Sequence, residues 1–207
     1  MPQNLLLSQI VSTASTTFNR YGIKSVSMDY IASQLGISKK TLYEHVSSKE
    51  DLIKQILTAK LQQLHSITEQ ASRSIPDAIA DAVQVFKQVS MALKDVNPAM
   101  LFDLQKYYPA VFKLYVSFRD EQVTEHFLKN IERGIAQGLY RDDMNVMLIG
   151  KVYLHMLEFI TDPDLEHVEH SFEERYKQAF LYHMRGICTQ KGLQLLNHHQ
   201  FNIPSEL

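Results

Sequence analysis

The fold is decided by residues 27–52, which read SMDYIASQLGISKKTLYEHVSSKEDL. Apolar side chains recur there at the three- and four-residue spacing of an α-helix, first over 28–35 and again over 42–46. Gly36, between the two stretches, allows the left-handed backbone that a sharp turn requires, and Ser38 can cap the second helix. The segment therefore predicts two short helices joined by a tight turn.

The second of these helices has a polar outer face. Its apolar residues Leu42 and Val46 lie four positions apart and face the first helix. The side chains that this arrangement directs largely outward are Lys39, Lys40, Thr41, Tyr43 and Glu44. A short, firmly held helix with hydrogen-bond donors and one aromatic ring on its free side fits the major groove of duplex DNA. We therefore predict a helix-turn-helix with a recognition helix near the N-terminus.

This part of the chain resembles the N-terminal domain of the TetR family of transcriptional regulators, from about Ile10 to Leu57. The matching positions are Ala14, Phe18, Tyr21, Gly22, Ser27, Ile31, Ala32, Leu35, Gly36, Ile37, Ser38, Leu42, Tyr43, His45, Lys49, Glu50 and Leu52. Two positions differ from the common family pattern: Lys40 stands where many members have glycine, and Val46 where many have an aromatic residue.

The resemblance implies an all-α fold of about nine helices in two domains. Residues 1–49 would form a three-helix DNA-binding domain, and residues 50–207 a larger helical domain for effector binding and dimerisation. The sequence agrees with that fold, because no stretch shows the sustained alternation of a strand, and glycine and proline are scarce and lie between helical patterns.

Composition and charge bound the setting in which the protein acts. The one cysteine, Cys188, allows no intrachain disulfide, and the N-terminal residues lack the pattern of a signal peptide. Because no apolar run approaches the ~18 residues of a membrane span, we expect a soluble, cytoplasmic protein without a membrane partner. Residues 1–60 carry seven basic and four acidic side chains, a formal charge of +3, and the remainder carries −5. This division favours contact of the N-terminal part with phosphate groups.

The resemblance also implies roles for individual side chains on DNA. Lys49 is similar to the family's phosphate-contacting lysine, Ser27 would bind a phosphate at a helix N-terminus, and His45 occupies a position that usually faces the DNA backbone. Tyr43 suits a phosphate together with a thymine methyl group or a sugar. Glu44 could accept from a cytosine amine, exclude a wrong site by repulsion, or remain a solvated surface residue. The predicted DNA-binding residues are Ser27, Ser38, Lys39, Lys40, Thr41, Tyr43, Glu44, His45 and Lys49. Among them, Lys39, Lys40 and Thr41 are best placed for base edges.

The eighth predicted helix, from about Asn145 to Thr161, is apolar on almost every side. Its strongly polar residues are only Lys151, His155 and Glu158, so the rest of its surface requires cover. The resemblance implies that the last two helices form a dimer interface, whereas a buried central helix in a monomer is the alternative. The predicted interface residues are Val152, Tyr153, Met156, Phe159, Tyr176, Phe180 and Ile187.

The resemblance further implies an effector cavity enclosed by the fifth to seventh helices. The aromatic, methionine and histidine side chains available there are Phe86, Met100, Phe102, Tyr107, Tyr108, Phe112, Tyr115, Phe118 and His126. Such a lining would suit a flat or flexible small molecule of apolar or aromatic character. The alternative is that these side chains form an ordinary core.

Two isolated features admit either a functional or a purely structural interpretation. His167 and His170, close to Asp164 and Glu166, have a spacing that could hold zinc on a helix. Without a cysteine or a clear helical context, we interpret them as part of a solvated acidic loop and predict no metal site. Cys188 could be a redox sensor or an inert buried thiol, and we favour burial.

The sequence contains no Gly-x-Ser-x-Gly elbow, phosphate-binding loop, His-Glu-x-x-His motif or Glu-x-x-His pair. We therefore predict no catalytic residues, no cofactor and no enzyme activity. The predicted function is that of a ligand-responsive transcriptional regulator, a homodimeric repressor that a small-molecule effector releases from an inverted-repeat operator in double-stranded DNA. The alternative is a helical protein-binding adaptor that keeps this fold without specific DNA binding.

Overall fold

The structure is a computed structural model, and it describes residues 3–94, 96–160 and 171–199. The regular elements in these ranges are ten helices: α1 Gln3–Tyr21, α2 Met28–Gln34, α3 Lys39–Tyr43, α4 Lys49–Ser74, α5 Ala78–Lys94, α6 Pro98–Tyr107, α7 Pro109–Ala136, α8 Val146–Ile160, α9 Phe172–Ile187 and α10 Gln190–His198. The predicted all-α class is confirmed. Across the described ranges, no helix combines the length and the apolar character needed to cross a membrane.

The last predicted helix is two helices, which accounts for ten helices where about nine were expected. The chain between α9 and α10 is extended at Cys188 and Thr189. The amide of Arg141 donates to the Ile187 carbonyl at 2.9 Å, and the amide of Thr189 donates to the Leu139 carbonyl at 2.9 Å. Thr189 also caps α10 through its hydroxyl. Cys188 is therefore buried between two helices rather than on the face of one, and burial raises the pKa of its thiol to about 12.

The chain forms two compact units. The first, here called the head unit, comprises the described residues of Met1–Gln63 and Val96–Phe118. The second, here called the body unit, comprises those of Leu64–Asp95 and Arg119–Leu207. The predicted boundary at residue 49 separates two functions, DNA binding and effector binding, rather than two packed units. It stays a prediction.

The core of the head unit explains why its helices form where they do. Each of the first four helices contributes at least one apolar side chain that is almost completely buried there: Ile10 and Phe18 of α1, Ile31 of α2, Leu42 of α3 and Leu52 of α4. Helix α6 adds Met100 and Leu104 to the same cluster. The short helices α2 and α3 are thus held by burial of apolar surface, which is the usual source of stability for helices too short to persist alone.

The body unit is built around stacked aromatic side chains. Phe86 of α5 stacks on Tyr176 and Phe180 of α9, with ring centroids 4.9 and 4.6 Å apart. The buried hydroxyl of Tyr140 donates to the Ala78 carbonyl at 3.1 Å, and the same oxygen lies 2.9 Å from Asn130 Oδ1. These contacts tie α5, α7 and α9 to the segment that precedes α8.

A buried carboxylate organises the polar part of the body unit. Asp81 is only 2% exposed, and the guanidinium of Arg133 lies 2.6 Å from its Oδ2 atom. The amide of Asn130 donates to the same oxygen at 2.7 Å, and the Ser72 hydroxyl donates to Oδ1. A buried charge is tolerated where it is paired and hydrogen-bonded in this way.

The acidic segment with Asp164, Glu166, His167 and His170 lies outside the described residues. Within the described ranges, no group of three or more histidine, cysteine, aspartate or glutamate side chains is arranged to hold a metal ion.

Candidate nucleic-acid interface

Helices α2 and α3 form a tight helix-turn-helix. The Ser27 hydroxyl caps α2 by accepting from the Tyr30 amide at 3.1 Å, and the Ser38 hydroxyl caps α3 by accepting from the Thr41 amide at 3.0 Å. Between them, Gly36 adopts a φ of +65°, and a Cβ atom there would meet nothing within 4 Å. Glycine is therefore favoured at this turn by backbone conformation and not by lack of space.

Helix α3 exposes the side chains that the sequence predicted. Leu42 and Val46 are buried in the head unit, so α3 is fixed from behind. Lys39, Lys40, Tyr43 and Glu44 are exposed, while Thr41 and His45 are half-buried. These side chains lie at one capped, rigidly packed element, which is the arrangement that groove recognition requires.

Lys39 is paired with an acidic residue of the neighbouring helix. Its ammonium lies 2.8 Å from Asp29 Oδ1, and both side chains are well exposed. Hydrogen bonding to Asp29 raises the pKa of Lys39. Exposed pairs of this kind contribute little to stability, so the lysine can exchange the carboxylate for a DNA acceptor at small cost.

Ser38 and Thr41 are occupied with each other in this structure. Their hydroxyl oxygens lie 2.9 Å apart, and the Ser38 oxygen also accepts the Thr41 amide. Ser38 thus has a defined structural task at the start of α3, whatever contact it makes to DNA.

The structure places Lys49 differently from the other predicted contact residues. Its ammonium donates to the main-chain carbonyls of Ile23 and Val26, at 2.6 and 2.5 Å, and lies 5.7 Å from the centre of the Phe18 ring. Burial lowers the pKa of Lys49, although the charge of Asp103 acts in the opposite direction. This contact could not be predicted from the sequence, because both acceptors are main-chain carbonyls, which every residue has.

Helix α6 contacts the same segment of the head unit, a feature that sequence reasoning missed. Asp103 is almost buried, and its Oδ2 atom accepts from the Lys24 amide at 2.8 Å. The ammonium of Lys24 donates to the Tyr107 hydroxyl at 2.9 Å, and this hydrogen bond lowers the pKa of Tyr107. The segment 22–27, which leads into α2, is therefore held by side chains of both α4 and α6.

The residues predicted for an effector pocket do not fall in one unit. The head unit contains Met100, Phe102, Tyr107, Tyr108, Phe112, Tyr115 and Phe118, and the body unit contains Phe86 and His126. Phe102 and Tyr107 are exposed. Met100 lines an apolar cavity of about 20 Å³, which has room for roughly one water molecule. The Phe86 ring is fully packed in its core, and His126 Nε2 lies 3.5 Å from Asp81 Oδ2, where burial lowers the pKa of His126.

The residues predicted for a dimer interface divide into two sets. Tyr176, Phe180 and Ile187 are buried in the core of the body unit, and Tyr153 is half-buried against Phe127 and His183. The first three are thus unavailable to a second chain, because their apolar surface is already covered by α5 and its neighbours. On α8, Val152 and Phe159 are exposed and Met156 is half-buried. Three exposed residues not predicted from the sequence are Met147 and Leu148 of α8 and Tyr182 of α9.

Known proteins resemble both the head unit and the whole chain. Residues 10–56 match the family model for bacterial regulatory proteins of the tetR family. The transcriptional repressor KstR2 of Mycobacterium tuberculosis is 23% identical over 148 residues, which cover 68% of this chain and 72% of that protein. The transcriptional activator FasR of Mycolicibacterium smegmatis is 35% identical over 77 residues, which cover 37% of this chain and 35% of that protein.

Solved structures share the fold. A Saccharomonospora viridis regulator crystallised with choline has a TM-score of 0.74 at 18% identity, over 90% of this chain and 100% of that one. The family match spans the same residues that form the helix-turn-helix and its supporting helices. Residues 10–56 therefore match the DNA-binding part of the tetR family, and the predicted resemblance to DNA-binding transcriptional regulators is confirmed.

Proposed function

We propose that the protein is a homodimeric repressor that occupies an inverted-repeat operator and leaves it when a small-molecule effector binds. The observation that carries the proposal is the exposed polar face of α3, fixed from behind by the buried side chains of Leu42 and Val46. Such a regulator meets its DNA in the cytoplasm of a bacterial cell, and we place it there.

The proposed DNA contacts separate into positioning and recognition. Ser27 and the N-terminus of α2 bind one phosphate, while Tyr43 and His45 contact the backbone beside the groove. Lys40 and Thr41 contact base edges, and Lys39 joins them after exchanging Asp29 for a DNA acceptor. Ser38 supports this face as the cap of α3, and Glu44 discriminates by accepting from a cytosine amine or by repelling other bases.

Homodimerisation is supported by the exposed apolar surface of α8. Leu148 and Val152 lie four residues apart, Phe159 lies seven residues after Val152, and the Phe159 side chain is 63% exposed. Large apolar side chains that remain exposed along one helix indicate an interaction surface. A second copy is the occupant we propose, because two heads double the number of phosphate contacts and match an inverted repeat.

Repression and effector control rest on the relatives and on side-chain chemistry. The relatives that align over about two thirds of this chain include a repressor. A shorter alignment matches this chain to an activator. We infer an apolar or aromatic effector from the aromatic side chains around α6 and α7, such as Phe112 and Tyr115, whose centroids are 6.1 Å apart. Binding of operator and of effector would then weaken each other by the same factor.

The test is selection of bound sequences from a random duplex pool by the purified full-length protein. We expect an enriched inverted repeat, and tenfold or greater loss of its binding in Lys40→Ala. The matched control is Lys129→Ala, which removes one exposed lysine from the body unit and should leave binding unchanged. Salt-dependent binding without any enriched sequence would contradict the proposal and favour the protein-binding adaptor.

Effector release and subunit number are tested on the same material. Sedimentation of the free protein should give twice the chain mass, and a panel of apolar and aromatic compounds should contain one that raises the melting temperature and releases the selected DNA. If no compound in a broad panel does either, effector control is wrong while the DNA-binding proposal stands.

A further inference from the structure

We propose that Lys49 is a positioning residue: its ammonium fixes the main chain of residues 22–27, and with it the phosphate-binding start of α2, instead of contacting a DNA phosphate itself. The inference rests on the proposed DNA contact at Ser27. It differs from the role that family resemblance implied for Lys49.

The ammonium of Lys49 already donates hydrogen bonds within the protein. It donates to the Ile23 carbonyl at 2.6 Å and to the Val26 carbonyl at 2.5 Å. A lysine ammonium has three donors, and hydrogen bonds from a charged donor are among the stronger ones in proteins. To reach a phosphate, Lys49 would have to abandon two acceptors in a segment where Ile23 and Val26 are themselves buried. The Val26 carbonyl would then lose the Lys49 ammonium, and the Ile23 carbonyl would keep only the Val26 amide, which lies 3.4 Å away. Loss of a charged donor at a buried carbonyl is costly.

A second charged side chain holds the same segment, and it binds a main-chain amide instead of a carbonyl. Asp103 accepts the amide of Lys24, so a carboxylate binds an N–H group while an ammonium binds the flanking carbonyls. Gly22, at the start of the segment, has a φ of +77°, and a Cβ atom there would lie 3.0 Å from Asp103 Oδ2. The main chain between α1 and α2 is thus fixed by charged side chains at two peptide groups, the one that joins residues 23 and 24 and the one that joins residues 26 and 27.

This fixation acts directly on the proposed phosphate site. Val26 immediately precedes Ser27, the N-cap of α2, whose hydroxyl accepts from the Tyr30 amide. A shift of the Val26 carbonyl therefore moves the cap and reorients the free amides at the start of α2. Lys49 at the start of α4 is in this way a support for an anion site that another helix provides.

Affinity as a function of salt separates the two roles. For the selected operator, the slope of log K against log[salt] falls by about 0.9 for each phosphate that a lysine or arginine no longer neutralises. Loss of a phosphate contact made by the uncharged Ser27 hydroxyl leaves this slope unchanged. We expect Lys49→Met to weaken binding and leave the slope unchanged. A fall of about 0.9 in Lys49→Met, with an unchanged melting temperature, would overturn the inference.

A mutant cycle tests whether Lys49 acts through Ser27. If it does, the double variant Lys49→Met, Ser27→Ala should bind within about twofold of the weaker single variant, because the two changes remove the same interaction. The inference would be overturned if the loss of affinity in the double variant equalled the product of the losses in the two single variants. So would an unchanged affinity of the folded fraction of Lys49→Met, since that result would leave Lys49 with a role in stability only.

A measurement on the unaltered protein covers the case in which Lys49→Met does not fold. Reductive methylation followed by mass spectrometry should modify the exposed Lys40 quickly and Lys49 slowly, and operator DNA should slow the modification of Lys40 without changing that of Lys49. Fast modification of Lys49 in free protein, with protection by DNA, would overturn the inference. If the unaltered protein selects no DNA sequence, the proposed function and this inference both fail. A slope change in Lys49→Met alongside normal wild-type binding removes only the inference.

Discussion

Mild acid is expected to destabilise the protein through His183. This side chain of α9 is 8% exposed and lies against two aromatic rings, with centroids 4.4 Å from Tyr153 and 5.6 Å from Phe127. Burial disfavours the charged imidazolium and lowers the pKa of His183 from 6.5 to about 4. The unfolded chain therefore binds the proton more readily than the folded chain, and stability must fall as the pH decreases.

The size of the effect follows from the two pKa values. Above pH 7.5 both states are neutral, and His183 contributes no pH dependence. Between pH 6.5 and pH 4 the unfolded state is increasingly protonated while the folded state is not. At pH 5 the difference amounts to about 2 kcal/mol, and it approaches about 3 kcal/mol at and below pH 4.

The assay is urea unfolding followed by circular dichroism, because the chain has no tryptophan to report by fluorescence. Other groups contribute in the same direction, among them Asp51, whose pKa is lowered by hydrogen bonding to the Ser47 amide. The informative quantity is therefore the difference between variants. His183→Gln should lose about 2 kcal/mol less than the unaltered protein between pH 7.5 and pH 5. Equal pH dependence in His183→Gln and the unaltered protein would refute the reasoning.

Three further outcomes are expected from single substitutions. Tyr43→Ala should weaken operator binding, measured by fluorescence anisotropy, with little change in sequence preference, because the exposed ring of α3 is proposed to contact the DNA backbone; a changed selected motif would contradict this. Phe159→Asp should raise the dimer dissociation constant at least tenfold in sedimentation while leaving the helical signal intact, since it places a charge on an exposed apolar face; an unchanged constant would remove α8 from the interface. Gly134→Ala should cost about 2–4 kcal/mol in urea unfolding, because its Cβ atom would lie 2.0 Å from the Tyr140 ring. Gly186→Ala, where a Cβ atom meets nothing within 4 Å, is the matched control and should cost nothing.

The parts of the fold that depend on local sequence could be predicted. Apolar spacing and the serine caps of α2 and α3 indicated the helix-turn-helix, because helical period and capping are properties of a few neighbouring residues. The break between α9 and α10 was missed although Thr189 is a good N-cap residue. That break depends on pairing of Cys188 and its neighbours with residues 139–141, and such distant contacts leave no periodic signal.

The parts of the site that depend on tertiary contacts could not be predicted. The apolar residues Tyr176, Phe180 and Ile187 have the spacing expected of a dimer interface, but the same spacing serves an internal core, and only packing on Phe86 distinguishes the two. Lys49 has the sequence context of a phosphate ligand, yet its partners are carbonyls that the sequence does not reveal. Asp103 and Tyr107 act on segment 22–27 from nearly eighty residues away.

The ion pair between Asp29 and Lys39 bears on how long the protein stays bound at non-target sites of a chromosome. A genome presents about 10⁶–10⁹ non-target sites, and every permanently available cation lengthens the stay at each of them. Under the DNA contacts proposed above, Asp29 would partly neutralise Lys39 on arbitrary sequence and release it where a correctly placed acceptor replaces the carboxylate. Removing the aspartate would strengthen binding to all DNA and lengthen the search for the operator. The weak ion pair between Asp29 and Lys39 would thus favour rapid location of the operator over high affinity for DNA in general.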